Sequence, residues 1–479
     1  MSEQAAQSSR TTTWVLVLTG LGALMAALDT LVVSTALSTI RLDLGASIEE
    51  LEWTVNAYNL SLAVSLITAA ALGDRYGRRR LYAGGLVLFT AASAACALSP
   101  DVAWLIAARA VQGIGAALIL TLSLALLSAA FPPERRGAAI GIFSAITGLS
   151  VASGPLVGGA VVDGIAWEWI FWLNVPLGLA AVPLVLTRIK ESFGGDTALD
   201  IPGLALITGG AFGIVWGLVR GNQAGWGSFE VVGSLVAGAL LVAAFVAWEL
   251  RAREPMLPMR FFRSRAFSGA NAAIFFTFAS LFTGVFFFAQ LLQTVIGYGP
   301  FDAGLRLLPW TATFMTVAPI AGTLADRFGE RPFMVGGLLL QAVGMAWVGL
   351  LAEPGLTYGQ LVVPFIVAGI GVSLAIPSAQ KSAVGSVEES AIGKAAGTNT
   401  MMRELGGVFG IAVAVAVFAG AGSYVSADAF TDGFAPAIGV AAALSLAGAL
   451  AGLALPGRGT PSEARPPRAV PAFEAEGES

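Results

Sequence analysis

The sequence lacks histidine altogether and contains a single cysteine, Cys96, among its 479 residues. Without histidine, a histidine-ligated metal site is excluded, and proton transfer within the protein has to use carboxylates. With one cysteine no intrachain disulfide can form, and Cys96 lies inside an apolar run, where we expect a small buried side chain. We therefore expect neither a metal nor a cofactor.

Charged residues are also scarce, at 12% of the chain against roughly a quarter in ordinary soluble domains, while apolar residues make up 56%. A soluble protein of this length could not bury so much apolar surface, so lipid has to cover it. The basic residues lie in short loops and form no continuous basic face, so no nucleic-acid partner is expected. No nucleotide-binding loop or nucleophile arrangement is present, which argues against an enzyme and against direct drive by ATP.

Fourteen apolar runs are long enough to cross a bilayer, which takes about 20 helical residues. The sequence therefore predicts an all-α polytopic membrane protein with fourteen spans. The first run is too long for the apolar core of a signal peptide, and we interpret it as a retained span. The spans are predicted to begin near Trp14, Leu51, Leu81, Val102, Gly137, Trp169, Ile201, Val231, Phe267, Ala303, Phe333, Leu361, Gly397 and Phe434.

The distribution of lysine and arginine predicts the orientation of the chain in the membrane. With the N-terminus inside, 21 of the 26 basic residues fall in cytoplasmic segments. The opposite orientation would invert this bias, so we expect both termini in the cytoplasm and a multi-pass protein of the cell (inner) membrane. The five exceptions are Arg41, Arg109, Arg220, Arg306 and Arg403.

One loop sequence occurs twice, at residues 70–79 and again at 322–331, and both copies contain Asp-Arg-aromatic-Gly-x-Arg. If two six-span halves flank a two-span insert, the loop after span 2 recurs after span 10, and parallel repeats of this kind are common in secondary transporters. The predicted division is a cytoplasmic N-terminus (1–13), an N-terminal six-helix bundle (14–190), a two-span insert with a cytoplasmic connector (191–262), a C-terminal six-helix bundle (263–456) and a disordered cytoplasmic tail (457–479).

Five motifs, in this order along the chain, carry a family resemblance: residues 28–37, 72–80, 109–116, 148–159 and 169–176. On these motifs the chain resembles the fourteen-span drug:H+ antiporter branch of the major facilitator superfamily over nearly its whole length. One departure is Ala70, where the loop signature of the family begins with glycine. The resemblance implies a major facilitator fold of two six-helix bundles plus two extra linker helices, with export driven by protons.

The resemblance also implies that the repeated loops form a cytoplasmic latch between the halves, which breaks and re-forms during alternating access. From the residues alone, a carboxylate at the end of span 2 lies at the negative pole of its own helix and needs cations nearby. A solvated turn would provide the same neighbours, so this alternative stays open. The latch residues are Asp74, Arg75, Gly77, Arg78, Arg79, Asp326, Arg327 and Arg331.

A stretch of small residues in span 5 is typical of antiporters in the same family, and its key positions are Gly154, Pro155, Gly158 and Gly159. Glycine lets helices approach closely and proline permits a bend. Ordinary close packing is the alternative interpretation of this segment.

Asp29 of span 1 and Arg109 of span 4 are charged residues that lie well inside the membrane, nearer its outer face. A rise of about 1.5 Å per residue places Asp29 some 22 Å from the inner face and about 8 Å below the outer face, with Arg109 roughly 10 Å below the outer face. An ionisable residue at such depth is costly, and a functional role is the default interpretation. We hypothesise that Asp29 exchanges protons and communicates with Arg109 directly or through Gln112. The alternative is a static buried ion pair.

Span 13 carries a second charged pair, Arg403 and Glu404, about 10 Å inside the cytoplasmic edge. Glu404 is a further candidate for proton coupling, while Arg403 either faces the cavity or extends to the inner headgroups. Phenylalanines of span 9 that face inward would make an apolar, adaptable substrate cavity between the halves. Its polar lining is predicted to include Asn56, Tyr58, Asn59, Gln112, Asn174, Gln290, Gln293, Asn399 and Arg403.

These expectations combine into a proton-coupled antiporter that exports hydrophobic drugs or antibiotics by alternating access. The energy source would be the proton gradient, the partners would be a hydrophobic small molecule, protons and the lipid bilayer, and the protein would act as a monomer. A dedicated exporter of one endogenous metabolite or lipid is an alternative. A non-transporting membrane sensor on the same fold is another, although buried charges argue against it.

Overall fold

The computed structural model describes residues 2–194, 200–253, 255–387 and 392–455, and this part of the chain is helical without strands. The predicted tail, 457–479, lies outside the described residues. A 3₁₀ helix, Met259–Arg263, follows the insert. The α-helices are α1 (Ser2–Leu44), α2 (Ile48–Tyr76), α3 (Arg78–Ala97), α4 (Val102–Ala130), α5 (Pro133–Gly164), α6 (Trp169–Trp172), α7 (Asn174–Arg188), α8 (Ile201–Ala224), α9 (Phe229–Glu249), α10 (Arg265–Thr294), α11 (Pro300–Arg306), α12 (Leu308–Phe328), α13 (Glu330–Leu350), α14 (Tyr358–Gly385), α15 (Ile392–Ala421) and α16 (Ala427–Gly452).

Twelve segments within the described residues are long and apolar enough to cross a membrane. The number rises to 13 when α2 is counted as one span, since Ile48–Leu66 and Thr68–Tyr76 meet at a bend of 52°. The prediction of a multi-pass helical membrane protein is confirmed, whereas the predicted count of fourteen is not. The predicted fifth span, near Gly137, lies in α5, which is not among these candidates.

Polar caps fix where several helices begin. At the start of α2, Ser47 and Glu50 form a capping box: the Ser47 amide donates to Glu50 Oε2 at 2.8 Å, and the Glu50 amide donates to Ser47 Oγ at 3.3 Å. Asp101 caps α4 by accepting from the Trp104 amide at 2.8 Å. These caps satisfy amides that would otherwise be unpaired at the ends of long apolar helices.

The two copies of the repeated loop have the same backbone turn. Gly77 joins α2 to α3 and Gly329 joins α12 to α13, with φ angles of 107° and 88°. Glycine is favoured at positive φ because it has no Cβ. The turn that follows the second helix of the first half therefore recurs in the second half.

Helix packing repeats in the same way. In the first half, α1 packs on α5, α2 and α3 pack on α4, and α3 packs on α7. The corresponding pairs of the second half are α10 with α15, α12 and α13 with α14, and α13 with α16. The inserted helices α8 and α9 pack on each other, and α8 also contacts α2 and α15.

The two halves meet at the end of the bundle opposite the repeated loops, which we call the closed end. Here α1 packs on α10, α5 on α11 and α2 on α15. Gln293 Nε2 donates to the Thr35 carbonyl at 3.1 Å, and the Arg41 guanidinium lies 4.8 Å from the centre of the Tyr424 ring. Thr35 and Arg41 belong to the first half, and Gln293 and Tyr424 belong to the second. These contacts therefore hold the closed end together.

Candidate functional site

Asp29 of α1 and Arg109 of α4 form a buried ion pair within the first half. Arg109 Nη1 donates to Asp29 Oδ2, and the two residues are only 1–2% exposed. The structure therefore brings together the two charges that the depth argument placed at similar levels. A charge pair removed from solvent in this way is strongly destabilised when one partner is lost.

Two amide side chains complete the surroundings of the Asp29 carboxylate. Gln112 Nε2 donates to Asp29 Oδ1 at 2.9 Å, and Asn174 Nδ2 donates to the same oxygen at 3.2 Å. Asn174 also donates to Ser93 Oγ at 3.1 Å. Gln112 and Asn174, which the sequence assigned to the substrate cavity, thus lie against Asp29, and Ser93 is a member of this network that sequence analysis missed.

Arg109 has partners besides the carboxylate. Its Nε donates to the Thr54 carbonyl at 3.1 Å, and its Nη1 donates to Gln112 Oε1 at 2.8 Å. The guanidinium carbon lies 4.2 Å from the centre of the Tyr58 ring, a distance suited to cation–π attraction. The guanidinium consequently keeps hydrogen bonds and a π face if Asp29 becomes neutral.

Close approach of α2 and α4 makes these contacts possible. A Cβ at Gly113 would lie 2.3 Å from the Tyr58 carbonyl oxygen, so no larger residue fits there without displacing α2. Gly113 is one residue beyond Gln112 and one turn beyond Arg109, and it therefore lets both side chains reach the α2 backbone and Asp29.

A cavity of about 10 Å³, room for no more than about one water molecule, lies between the halves next to this network. Its lining is mostly apolar and comes from α1, α2, α10 and α15, namely Thr30, Ser34, Val55, Phe282, Val285, Phe286 and Ile411. Two of the phenylalanines that the sequence placed in span 9 are thus part of the lining. Thr30 and Ser34 follow Asp29 along the same helix, so the cavity and the ion pair are neighbours.

Gln290 and Gln293, predicted for the cavity, lie instead at the closed end. Gln293 bonds to the backbone of α1, and Gln290 Oε1 accepts from the Tyr424 hydroxyl. Burial raises the pKa of Tyr424, against the opposing effect of the Arg41 guanidinium, so its hydroxyl stays protonated and remains a donor. Arg41 and Tyr424 were not singled out from the sequence.

The second charged pair is formed between adjacent residues of α15. Arg403 Nη2 and Nε lie 2.6 Å and 2.8 Å from Glu404 Oε1, and the Arg403 guanidinium lies 5.4 Å from the Phe278 ring centre. Asn399 Nδ2 donates to Asn271 Oδ1 at 3.3 Å. Arg403 therefore pairs with its neighbour in the chain, and a role of Glu404 in proton coupling stays a prediction.

The loop at Asp74 contacts α3 and the first residues of the insert in this structure. Asp74 Oδ1 accepts from Arg78 Nε at 2.8 Å, and the Gly194 amide donates to the Asp74 carbonyl at 3.0 Å. Arg79 lies 3.6 Å from Glu191, in the segment after α7. A latch between the halves stays a prediction, since these contacts join α2, α3 and the chain after α7.

Two further latch arginines lie close to the aromatic ring of the next residue. Arg75 lies 5.5 Å from the ring centre of Tyr76, and in the second copy Arg327 lies 5.4 Å from that of Phe328. The side chain of Asp326 lies outside the described part of the structure, and Arg331 is half-buried at the start of α13.

The small residues of α5 let it pack closely against two other helices, α1 and α11. A Cβ at Gly154 would lie 2.7 Å from Leu31 Cβ, and one at Gly158 would lie 2.5 Å from Thr35 Oγ1, both on α1. A Cβ at Gly159 would lie 2.2 Å from the Pro300 carbonyl oxygen of the second half, and one at Gly304 would lie equally close to the Pro155 carbonyl. This segment therefore packs α5 against its own half and against the other half at the closed end.

Two halves with the same helix packing in a multi-pass helical protein are the architecture of many secondary transporters. The chain belongs to the Major Facilitator Superfamily, whose profile matches residues 19–411 and 310–475. The family and the relatives below are transporters and not enzymes.

Relatives of this chain are named for drug resistance and export. It is 35% identical over 442 residues to a tetracenomycin C resistance and export protein of Streptomyces glaucescens, covering 92% of this chain and 82% of the relative. It is 35% identical over 413 residues to the multidrug resistance protein Stp of Mycobacterium tuberculosis, covering 86% and 76%. It is 33% identical to a probable actinorhodin transporter of Streptomyces coelicolor, covering 83% and 71%.

Solved structures share the fold at low sequence identity. A peptide transporter POT in complex with sulfate matches with a TM-score of 0.67 and 17% identity, covering 92% of this chain and 94% of that chain. An inward-facing bacterial homologue of the lysosomal transporter Spinster matches with a TM-score of 0.67 and 15% identity, covering 93% and 98%. These likenesses show the fold alone.

Proposed function

We propose that this protein is a proton-coupled antiporter that exports hydrophobic drugs or antibiotics by alternating access. It would lie in the cell (inner) membrane with both termini in the cytoplasm, use the proton gradient without a cofactor, and act as a monomer. The proposal includes fourteen spans, because α5 has 32 helical residues, about 48 Å at 1.5 Å per residue, in addition to the thirteen counted above.

The observation that carries this proposal is the Asp29–Arg109 pair, because its geometry suits reversible protonation. Asp29 Oδ1 accepts two amide hydrogen bonds and Oδ2 accepts one from Arg109, so the lone pair left for a proton is on Oδ2. Forming the O–H bond neutralises the carboxylate and removes its attraction for the guanidinium. Arg109 then stays bound to the Thr54 carbonyl, Gln112 and the Tyr58 ring.

Protonation of Asp29 would thus weaken the contact between α1 and α4, leaving the Gln112 hydrogen bond, without leaving Arg109 unsatisfied. The apolar cavity follows Asp29 on α1, so a change in the α1–α4 contact alters the cavity lining at Thr30 and Ser34. A hydrophobic substrate that enters between the halves when they part and widen this cavity, and a proton on Asp29, would then favour different arrangements of the same helix. This competition is the basis of exchange in the proposed cycle.

The test is reconstitution into liposomes that contain a pH-sensitive dye, followed by a screen of cationic, neutral and lipid-like compounds for substrate-driven proton flux. The wild type is expected to couple at least one hydrophobic compound to proton movement, and Asp29→Asn is expected to lose the coupling. Asp101→Asn is the matched control, because it removes an exposed carboxylate at a helix cap where asparagine serves equally well. Equal flux in Asp29→Asn and wild type would refute the proposal.

A dedicated exporter of one compound is the second candidate. It is favoured by relatives whose names refer to single antibiotics, tetracenomycin C and actinorhodin. In the same screen this function predicts proton flux with one chemical scaffold only, whereas a multidrug exporter responds to several unrelated scaffolds.

A further inference from the structure

Glu52 is a buried acid that the ion-pair mechanism does not use. It lies on α2, is 0% exposed, and its Oε1 accepts from Asn56 Nδ2 at 2.9 Å. Its other oxygen, Oε2, has no hydrogen-bond partner, and neither have Asn56 Oδ1 and both polar atoms of the Asn59 side chain. Four unpartnered polar atoms on one short stretch of helix are unusual, since buried polar groups are nearly always hydrogen-bonded.

These three side chains form one stripe that faces the second half of the protein. At about 100° per residue, Glu52, Asn56 and Asn59 fall within about 60° of one another around α2. On one side of the stripe, Leu60 and Val64 belong to an apolar cluster with Val408 and Ala412 of α15, in the second half, and with Val215 and Val219 of α8. The stripe therefore lies in the contact between the halves.

Contacts on the other side of the stripe also place it against the second half. There Val55 lines the cavity that it shares with Phe282, Phe286 and Ile411, which also belong to the second half. Glu52 is four residues from the start of α2, and α2 begins at the closed end. The acid is therefore sealed between the halves near the closed end.

No cation compensates Glu52 within the described residues. The nearest carboxylate on its own helix is Glu49, which repels a second negative charge. Arg109 approaches α2 at the Thr54 carbonyl, about 160° around the helix from Glu52, and is already paired with Asp29. α1 also packs against α2, and at the closed end its Arg41 lies over the Tyr424 ring while its Asp43 accepts from Trp167 Nε1. The other charged groups on described parts of helices packed against α2 are Arg78, Arg79 and Arg80 of α3, Arg220 of α8, which pairs with Glu230, and Lys394, Arg403 and Glu404 of α15, of which the last two pair with each other.

We propose that Glu52 is a second proton-binding site, separate from the Asp29–Arg109 pair, and that its protonation is required for the closed end to close. An ionised carboxylate without a cation is costly to bury, so closing favours the neutral acid. When the closed end opens, α2 and α15 separate and water can solvate the ionised form. The O–H bond then forms with a proton from the outer solution before the halves close again.

The proposal deepens the proposed function, because it rests on alternating access and adds a proton that is taken up on the outer side. Asn56 and Asn59 continue the stripe from Glu52 towards the middle of α2, about 6 Å and about 10 Å further along the helix. Their unpartnered atoms provide hydrogen bonds for water when the halves part. Glu52 is the outermost member of the stripe, so water that enters from the outer side when the halves part reaches it first, without passing the Asp29 site.

The experiment measures opening of the closed end against pH in the purified full-length protein. With Cys96→Ser as background, spin labels are attached at Leu42→Cys and Val425→Cys, two exposed positions next to the Arg41–Tyr424 contact on opposite halves. The distance between the labels is recorded from about pH 5 to about pH 9, a range that covers perturbed carboxyl groups. The variants are Glu52→Gln, a neutral mimic of the protonated acid, and Glu49→Gln, a matched control one turn earlier.

In the wild type and in Glu49→Gln, the fraction with short distances is expected to fall as pH rises. In Glu52→Gln that fall is expected to be lost or to shrink at least threefold, with short distances at all pH values. A wild-type profile in Glu52→Gln, or long distances at all pH values, would overturn the inference, and so would failure of this neutral variant to fold. Failure of the proposed function has a different signature, which is pH-dependent closing without any substrate-driven proton flux.

Discussion

A double-mutant cycle at Asp29 and Arg109 tests whether this ion pair only stabilises the fold or also takes part in proton exchange. Asp29→Asn leaves a buried guanidinium without its carboxylate, and Arg109→Gln leaves a buried carboxylate without its cation. Breaking a buried pair by removing one partner costs ~3–5 kcal/mol, and we expect the lower end here because the surviving partner keeps amide and carbonyl hydrogen bonds. Each single variant should therefore lose ~3 kcal/mol of unfolding free energy.

The double variant is expected to be more stable than either single variant, because no uncompensated charge remains in the bundle. Simple addition would give a loss of ~6 kcal/mol, whereas we expect a loss of ~1–2 kcal/mol and hence a coupling energy of ~4 kcal/mol. Unfolding titrations in mixed micelles measure these values, and substrate-driven proton flux is measured in proteoliposomes. The stable double variant should show no flux. Wild-type flux in this variant, or additive losses of stability, would refute the reasoning.

Three further substitutions test the closed end, the ring that contacts Arg109 and the repeated loop. Gly159→Leu places a side chain where a Cβ would already be 2.2 Å from the Pro300 carbonyl, so the closed end should open, and unchanged distances between labels across it would contradict this. Tyr58→Leu removes a ring 4.2 Å from Arg109 and should slow proton exchange ~30-fold, for a loss of ~2 kcal/mol, whereas Tyr58→Phe should retain most activity. Asp74→Asn should change stability by less than ~1 kcal/mol, because its ion pair is partly exposed, yet slow transport if the latch operates.

Length and hydropathy were sufficient to predict the helices. All fourteen predicted starts fall inside described α-helices, because a run of about 20 apolar residues in lipid has to satisfy its backbone internally. Hydropathy did not predict interruptions such as the break between α6 and α7 or the short helix α11. These depend on how one helix end packs against its neighbours, which composition does not encode.

The pairing of Asp29 with Arg109 was predicted from their similar depth in the membrane, where a charged residue has few other possible partners. Depth did not single out Glu52, because this residue lies one position beyond the predicted start of its span and therefore resembles an acid at the membrane surface. Its burial follows from which face of α2 meets the second half, and that is a property of tertiary packing. The contacts of Asp74 with α3 and the first residues of the insert also depend on conformation, which a single sequence does not specify.

Proton release on substrate binding shows whether Asp29 gives up its proton in exchange for substrate. Purified protein in weakly buffered detergent solution is mixed with a compound found by the flux screen, and the protons released per bound molecule are measured. The measurement is repeated at decreasing pH; once Asp29 carries a proton, the wild type is expected to release it on binding substrate, while Asp29→Asn, still able to bind the compound, should release markedly fewer protons. Binding without proton release in the wild type, or equal release by the two proteins, would contradict the account.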